Sequence, residues 1–326
     1  MRNHWKKALT YMACASLAFT LASCGGGGSE DGGDSSAGAS ASQAVTANAS
    51  DTTSGVAFDP AKDVEPVKFN SKGAIKDNDG AIDLSSVSDG VVLARAKNSS
   101  RLKFVVSCGD MTYNYDLPGD NTPITCPVNM GDGSYTFAIM RNTGDKNYVQ
   151  TTVATEDVKL NTEFAPFVHP NLFCNYTNKS KCVKKARELT SDVDNVGEAV
   201  QAVCTYIIDN VVYDTDKAQE LGTVTGYVPD PDETFATNKG ICFDYASLGA
   251  AMLRSVGIPT KVITGYVTPK DLYHAWIMVY IDGSWTSVKF AVDPRSWSRV
   301  DLTFGTDSSS EDYVGDGTSY TERYVY

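Results

Sequence analysis

The sequence predicts an α+β protein, with an N-terminal antiparallel β-sandwich followed by a domain in which a helix packs on an antiparallel sheet. Residues 63–165 contain short β-rich runs separated by Gly, Asn, Asp and Pro clusters, which is the pattern of a sandwich. After residue 183, apolar residues first recur at helical spacing and then form strand-like runs, an order typical of α+β domains. The length of about 265 residues beyond residue 62 also favours two hydrophobic cores over one.

Residues 1–24 have the features of a lipoprotein signal peptide. Basic residues precede an apolar stretch at 8–22, which is too short for a transmembrane helix and ends in small residues before Cys24. We expect cleavage before Cys24 and lipidation of that cysteine. The acyl chains would anchor the mature protein to the cell membrane, outside the cytoplasm.

Residues 25–62 consist of Gly, Ser, Ala, Asp and Thr with few large apolar side chains. Such a segment cannot bury enough surface to offset its ordering entropy. We expect a flexible tether between the lipid anchor and the folded domains.

The charge balance of the chain argues against nucleic acid as a partner. Without the signal peptide, 25 basic and 40 acidic residues remain, a net charge of −15. Phosphate binding depends on clustered Lys and Arg. The acidic excess instead favours a well-solvated surface.

The first domain shows no constellation of catalytic residue types, so we expect it to provide support or recognition. Its predicted strands are 91–97, 102–108, 112–117, 124–128, 135–141 and 148–154.

A connection at 166–182 leads into the second domain, which we place at 183–326. Its first helix is expected to carry the apolar residues of 196–211, with Ser191 or Asp192 as the N-cap.

The second predicted helix of this domain directly follows Cys242. Its apolar stripe ends at Gly257, a helix stop signal followed by Pro259. The strands predicted after it are 260–267, 272–281, 285–292 and 297–304.

Six cysteines follow Cys24, and an oxidising compartment favours their pairing. Cys108 and Cys126 lie close in sequence across a turn-rich segment, as do Cys174 and Cys182. We therefore expect two local disulfides, Cys108–Cys126 and Cys174–Cys182.

Cys204 falls within a helical apolar pattern and is expected to be a core residue. Cys242 is then the one cysteine without a structural explanation.

There is no C-x-x-C pair, no histidine at metal-ligand spacing and no phosphate-binding loop. We expect neither a metal nor a cofactor.

Cys242 and His274 have the order that a thiol nucleophile and its base require. His274 follows 32 residues after Cys242 in a strand-like run, whereas His4 lies in the signal peptide and His169 precedes Pro170 in the connection. A thiolate in the first turn of a helix is stabilised by backbone N–H groups and the helix dipole. An imidazole on a strand packed face to face with that helix could take the thiol proton and later return it.

Three carboxylates lie near these residues in the predicted fold. Asp244 is favoured by the helix dipole in the first turn and is interpreted as structural. Asp293 precedes Pro294 in a type I turn composition, which explains it locally. Asp301 lies between apolar residues of a strand-like run, where a carboxylate needs a partner. We therefore favour Asp301 over Asp293 as the group that orients the imidazole.

Several segments together resemble the transglutaminase-like superfamily, a papain-related group of cysteine proteins. The resemblance covers about 180–305 and implies a Cys-His-Asp triad, here Cys242, His274 and Asp301, acting on amide bonds through a thioester. The family's closing Asp-Pro-Thr is Asp301-Leu302-Thr303 here, while an intact Asp-Pro stands at 293. The segments that carry the resemblance are Gly240-Ile241-Cys242-Phe243-Asp244-Tyr245-Ala246, Leu253 to Thr260 with Gly265-Tyr266, Tyr273-His274-Ala275-Trp276, and Trp297 to Phe304.

An oxyanion hole would combine the backbone N–H of Cys242 with one side-chain donor. Tyr213, Gln219 and Tyr227 lie upstream and are the candidates.

These observations lead us to expect a surface-anchored, cysteine-dependent amide hydrolase or acyltransferase whose substrates are peptides or proteins. The alternative is a non-catalytic surface-binding or adhesion module that keeps the fold. A third interpretation, a structural protein with a Cys204–Cys242 disulfide, predicts no free thiol at Cys242.

Overall fold

The computed structural model describes residues 65–77, 80–222, 224–267, 272–281, 284–286, 289–293, 296–299 and 320–326, all within one compact unit. The expected signal peptide, the lipidated Cys24, the whole tether and Asp301 lie outside the described residues. Within those ranges no helix combines the length and the apolar character that crossing a bilayer requires.

The N-terminal part is a sandwich of two antiparallel four-stranded sheets, with strand orders β1-β2-β3-β6 and β5-β4-β7-β8. The strands are β1 (Ile75–Lys76), β2 (Gly80–Asp83), β3 (Val91–Ala96), β4 (Leu102–Cys108), β5 (Met111–Leu117), β6 (Ile124–Pro127), β7 (Gly133–Gly144) and β8 (Asn147–Val158).

Alternation along the strands builds the core between the two sheets. In β4, Leu102, Phe104 and Val106 are buried while the residues between them are half-buried, as expected when one face of a strand points inward. Phe137 of β7 stacks on Phe104, with ring centroids 6.5 Å apart. The six predicted runs correspond to β3 through β8, so the predicted antiparallel sandwich is confirmed.

The second domain begins with a helical layer. It comprises α1 (Lys181–Leu189), α2 (Val196–Asn210), β9 (Val212–Tyr213), α3 (Thr215–Leu221), α4 (Pro231–Thr237), β10 (Lys239–Gly240) and α5 (Cys242–Arg254), with β9 and β10 paired in parallel.

Three features of this layer differ from the sequence prediction. Helix α1 was not predicted, and it begins at Lys181, within the predicted connection. The N-cap of α2 is Asn195, whose side chain accepts the N–H of Glu198 at 2.9 Å, rather than Ser191 or Asp192, because the helix begins only at Val196. The polar, Pro-containing passage before Cys242 also holds two short helices, α3 and α4. Aspartates cap both of them and supply the local signal that the apolar pattern lacks.

The strands of the second domain are β11 (Thr260–Val267), β12 (Leu272–Ile281), β13 (Ser284–Thr286), β14 (Lys289–Asp293), β15 (Ser296–Arg299) and β16 (Tyr320–Val325). They form an antiparallel sheet of order β13-β12-β11-β16 and a separate β14-β15 ribbon. The predicted strand 285–292 is divided between β13 and β14, and β16 was not predicted.

Helix α5 packs on one face of this sheet. Its Leu248 and Met252 share a core cluster with Ala275 and Ile277 of β12. The opposite face of the sheet has a cluster of its own, formed by Ile263, Trp276 and Met278. This helix on an antiparallel sheet is the predicted α+β arrangement.

Arg254, fully buried in the last turn of α5, holds several elements together. Its Nε donates to the carbonyl oxygen of Thr260 at 2.8 Å, and its two terminal nitrogens donate to the carbonyl oxygens of His169 at 2.9 Å and Tyr326 at 2.8 Å. Charge-assisted hydrogen bonds of this kind offset the cost of burying a cation. The guanidinium thereby joins α5 to the start of β11, the connection and the residue that follows β16.

Strand β16 also contacts the sandwich. The N–H of Val325 donates to the hydroxyl of Tyr113 at 3.3 Å, and the Asn129 amide donates to the Val325 carbonyl. The ring of Tyr326 lies 5.7 Å from that of Tyr113 and 4.6 Å from that of Phe173. The same strand therefore packs on both parts of the protein.

All six cysteines after Cys24 are free thiols in the structure, so the expected Cys108–Cys126 disulfide is not formed. Cys108 ends β4 in one sheet, whereas Cys126 lies on β6 at the edge of the other sheet. Closeness in sequence thus does not make the two residues strand neighbours. The Cys204–Cys242 disulfide of the third interpretation is likewise not formed.

The expected Cys174–Cys182 disulfide is also not formed, although burial raises the pKa of the Cys182 thiol and Cys174 is close enough to contribute to that rise. Cys174 Sγ lies 3.8 Å from the carbonyl oxygen of Ser247, and the Cys182 thiol interacts with the Asp232 carboxylate. Both cysteines are fully buried in the core that includes α5.

We predict that Arg254→Met lowers the free energy of unfolding by about 3 kcal/mol or more, because three carbonyl oxygens, of which that of Thr260 is in a fully buried contact, lose their charged donor. Urea denaturation followed by tryptophan fluorescence measures the change. Lys184→Met, on the exposed side of α1, is the control and should change stability by less than about 0.5 kcal/mol. Equal stability of the two variants would contradict the role assigned to Arg254.

Candidate active site

Cys242 is the first residue of α5, directly after the N-cap residue Ile241. Its side chain is half-buried. The first N–H groups of a helix have no acceptor within the helix, and the helix dipole adds positive potential there. The predicted location of this cysteine at the tip of a helix is therefore confirmed.

The other thiols have surroundings that disfavour reactivity. Four are fully buried: Cys126, Cys174, Cys182 and Cys204. Burial raises the pKa of each of these thiols, to about 11 for Cys174. A thiol that stays protonated is a poor nucleophile. Cys108 is half-buried but lies at the end of a strand, so Cys242 is the one accessible cysteine of the six at a helix N-terminus.

Asp244, two residues after Cys242, is a fully buried carboxylate that accepts three donors. Its Oδ2 accepts the backbone N–H of Ile241 at 2.8 Å and forms an ion pair with Lys217 Nζ at 2.8 Å. Its Oδ1 accepts the hydroxyl of Tyr227 at 2.5 Å. These contacts fix the first turn of α5 and support the structural interpretation of Asp244.

Gly240 makes room for this carboxylate. A Cβ at position 240 would lie 2.6 Å from the Cβ of Asp244 and 3.2 Å from the Cγ2 of Thr234. Any larger residue would therefore push the Asp244 side chain away from the Ile241 N–H. Gly240, two residues before Cys242, thus allows the tight entry to the helix that the sequence suggested, and it does so by leaving room for the capping carboxylate.

The three oxyanion candidates differ in their placement. Tyr227 uses its hydroxyl proton to bond Asp244, and burial together with that hydrogen bond raises the pKa of the phenol. Gln219 is exposed on α3. Tyr213 pairs with Gly240 between β9 and β10, which puts its backbone beside the approach to Cys242. The role of Tyr213 as a side-chain donor stays a prediction.

His274 lies on β12, paired with Gly265 of β11, and its side chain is buried. Because Arg254 contacts Thr260, α5 runs back alongside β11 after a tight connection. The helix extends about 18 Å from Arg254 to Cys242, and β11 covers about 17 Å from Thr260 to Gly265. Cys242 and His274 are therefore brought to the same end of the domain.

The side-chain directions along β12 add a constraint. Ala275 and Ile277 belong to the cluster that includes α5, whereas Trp276 and Met278 belong to the cluster on the other face. Alternation assigns His274 to the face of Trp276, which α5 does not cover. The helix and the strand pack against each other as expected, whereas a contact between the Cys242 thiol and the His274 imidazole stays a prediction.

The third triad member also stays a prediction. Asp293 ends β14 and pairs with Ser296 in the β14-β15 ribbon, while the preferred Asp301 lies outside the described residues.

Among the described residues, no group of three or more His, Cys, Asp or Glu side chains is arranged to hold a metal ion. His169 contributes its backbone carbonyl to the Arg254 contact.

Residues 183–301 match the model of the Transglutaminase-like superfamily. The chain contains a transglutaminase-like domain. Cys242, His274, Asp293 and Asp301 all lie within the matched residues, and the resemblance noted in the sequence is confirmed at the level of the domain.

Two curated proteins are similar to the chain over part of its length. A UPF0252 protein of Methanocaldococcus jannaschii is 24% identical over 192 residues, which is 56% of this chain and 50% of that protein. An uncharacterized protein of Mycobacterium leprae is 33% identical over 96 residues, 26% of this chain and 29% of that protein. The chain thus spans half or less of the length of these relatives.

Solved structures with a related fold include a cysteine protease candidate of Cytophaga hutchinsonii, at 19% identity and a TM-score of 0.34 over 60% of this chain and 72% of that one. Legionella pneumophila LapG has 16% identity and a TM-score of 0.30 over 45% and 72% of the two chains. Red sea bream transglutaminase has 12% identity and a TM-score of 0.26 over 67% and 48%.

Sequence reasoning did not single out Lys217 as a residue of this site. Asp214, three residues earlier, caps α3 by accepting the Lys217 N–H at 3.0 Å, and this spacing was the available local signal for the helix. Nothing local indicates that the Lys217 ammonium reaches Asp244, because the two residues meet only through the fold.

Proposed function

We propose that this protein is a surface-anchored, cysteine-dependent amide hydrolase or acyltransferase that acts on peptides or proteins through a thioester on Cys242. The observation that carries the proposal is the environment of the six thiols. Four are buried with raised pKa values, and Cys242 is the accessible one at a helix N-terminus. Thiolates in such positions are the reactive ones in proteins.

In the proposed reaction, His274 takes the proton of the Cys242 thiol, and the thiolate attacks the carbonyl carbon of a substrate amide. The C–S bond forms, the C–N bond breaks, and the imidazolium returns the proton to the leaving amine. The negative oxygen formed in between is stabilised by the N–H of Cys242 and a second donor such as Tyr213. Water or a second amine then attacks the thioester, which restores the thiol.

The cellular setting of the proposal comes from the sequence. A lipidated Cys24 would hold the protein at the membrane, and the tether of residues 25–62 would let the domains reach peptides or proteins of the surface. The acidic net charge disfavours nucleic acid as a partner.

A non-catalytic surface-binding module is the second candidate, and one observation favours it. The alternation along β12 assigns His274 to the sheet face away from α5, where Trp276 and Met278 lie. If the imidazole stays on that face, Cys242 has no general base from β12. The transglutaminase-like domain would then serve as a scaffold.

Alkylation by iodoacetamide separates the two candidates. We predict that Cys242 is modified at pH 7 faster than the other cysteines, and that His274→Ala slows its modification by about tenfold or more, because the base that removes the thiol proton is lost. Peptide mapping by mass spectrometry measures the rate at each cysteine.

Cys108 serves as the internal control, because it is partly accessible and remote from any helix N-terminus. Its rate should be unchanged by His274→Ala. Equal Cys242 rates with and without the imidazole, together with no release of amine from peptide substrates, would favour the binding module.

The orienting carboxylate is tested by a matched pair of variants. We predict that Asp301→Asn lowers the turnover of a peptide amide substrate by at least about tenfold, because the imidazole loses the group that supports its positive charge. Asp293→Asn is the matched variant and should stay within about twofold of the unaltered protein. The reverse pattern would assign the role to Asp293.

A further inference from the structure

We infer that Lys217 and Tyr227 are positioning residues, which act through Asp244 to hold the first turn of α5 and to neutralise a buried carboxylate two residues after Cys242. The inference rests on the proposed function, because it concerns how the same cysteine is kept reactive. It adds two residues from outside the cysteine helix to the machinery of the site.

The buried carboxylate of Asp244 requires compensation. It has no exposed surface, and a buried charge is costly unless it is paired and hydrogen-bonded. The three donors that reach it come from separate parts of the chain: the Ile241 N–H at the helix start, Lys217 on α3, and Tyr227 in the segment between α3 and α4. Removal of any one leaves a polar group of this site without its partner.

The position of Lys217 is itself fixed by several contacts. Asp214 caps α3, and the N–H of Asp214 donates to the carbonyl of Gly240 at 2.9 Å, so α3 starts directly beside the entry to α5. The Lys217 ammonium also lies 4.8 Å from the centroid of the Tyr227 ring. Lys217, Tyr227 and Asp244 therefore contact one another as a closed set.

The charges of Lys217 and Asp244 determine whether loss of either residue raises or lowers the pH at which Cys242 is alkylated. A carboxylate in the same helical turn as Cys242 repels a thiolate, whereas the Lys217 ammonium cancels that repulsion. Other charged groups near the set include Asp214, which accepts the backbone N–H of Lys217, and Asp230 and Glu233, which act on Tyr227. On the side of the sheet, the titratable group is His274 of β12, which the proposed function pairs with Cys242.

The test is a double-mutant cycle read out by the pH dependence of Cys242 alkylation. Lys217→Met leaves the carboxylate unpaired, so the pH of half-maximal alkylation should rise by about one unit. Asp244→Asn leaves the ammonium unpaired, so this pH should fall. The double variant restores neutrality and should return close to the value of the unaltered protein. Lys217→Arg keeps the positive charge, so the pH of half-maximal alkylation should stay that of the unaltered protein.

Lys239→Met is the control, because Lys239 is exposed and lies three residues before Cys242. Solvent and salt screen such a charge, so its loss should leave the pH of half-maximal alkylation unchanged. Shifts of equal size for Lys239→Met and Lys217→Met would overturn the inference, as would shifts of the same sign for Lys217→Met and Asp244→Asn.

Thermal unfolding of each variant distinguishes this result from a general loss of structure. Loss of the helix cap alone would lower the melting temperature of both single variants, lower it further in the double variant, and leave the alkylation pH without opposite shifts.

A peptide substrate separates the inference from the proposed function. Opposite alkylation shifts without amide turnover would contradict the proposed function alone, and turnover without those shifts would contradict the inference alone.

Discussion

The guanidinium of Arg254 determines how the cysteine helix is placed. Through three backbone carbonyls it joins the end of α5 to Thr260, to His169 and to Tyr326. Because Thr260 starts β11, this contact sets the direction in which α5 lies along the sheet. The first residue of the helix, Cys242, is thereby brought to the end of the β11-β12 hairpin that carries the histidine.

A second buried charge fixes the opposite end of the same helix. Asp244 accepts the N–H before the helix, an ammonium and a phenol, and Gly240 leaves room for it. Charges of opposite sign at the two ends match the helix dipole, which favours anions at the N-terminus and cations at the C-terminus. The helix is held by contacts that leave the thiol of Cys242 itself accessible.

The two parts of the protein meet through aromatic side chains. Tyr326 contacts Tyr113 of the sandwich and Phe173 of the connection, and Phe173 also contacts Phe243, which adjoins Cys242. A continuous packed path therefore runs from the sandwich to the tip of the cysteine helix. This path connects the core of the sandwich directly to the residue that adjoins Cys242.

The parts of the structure that local signals specify could be predicted from the sequence. The alternation of β4 and the apolar stripe of α5 each report burial on one face, so those elements appear where the patterns predicted them. Contacts between residues distant in sequence could not be predicted in this way. The capping of α1 by Asp232, whose carboxylate accepts the N–H groups of Lys181 and Cys182, is one case.

In the site too, features that depend on neighbouring residues could be predicted, whereas contacts between distant residues could not. The location of Cys242 followed from the residues around it, whereas the ion pair between Lys217 and Asp244 depends on how α3 packs beside α5. The Cys108–Cys126 disulfide prediction failed for the same reason, because spacing in sequence does not tell which sheet a cysteine joins. The face of β12 on which His274 lies follows from registers that only the folded sheet defines.

Trapping of the acyl-enzyme tests the central claim most directly. The purified protein would be mixed with the p-nitrophenyl ester of a short peptide, quenched in acid and mapped by mass spectrometry. The account predicts a burst of p-nitrophenolate and one acyl group on the sulfur of Cys242, both lost in Cys242→Ala. Acylation spread evenly over Cys108 and Cys242, or a burst that persists in Cys242→Ala, would contradict it.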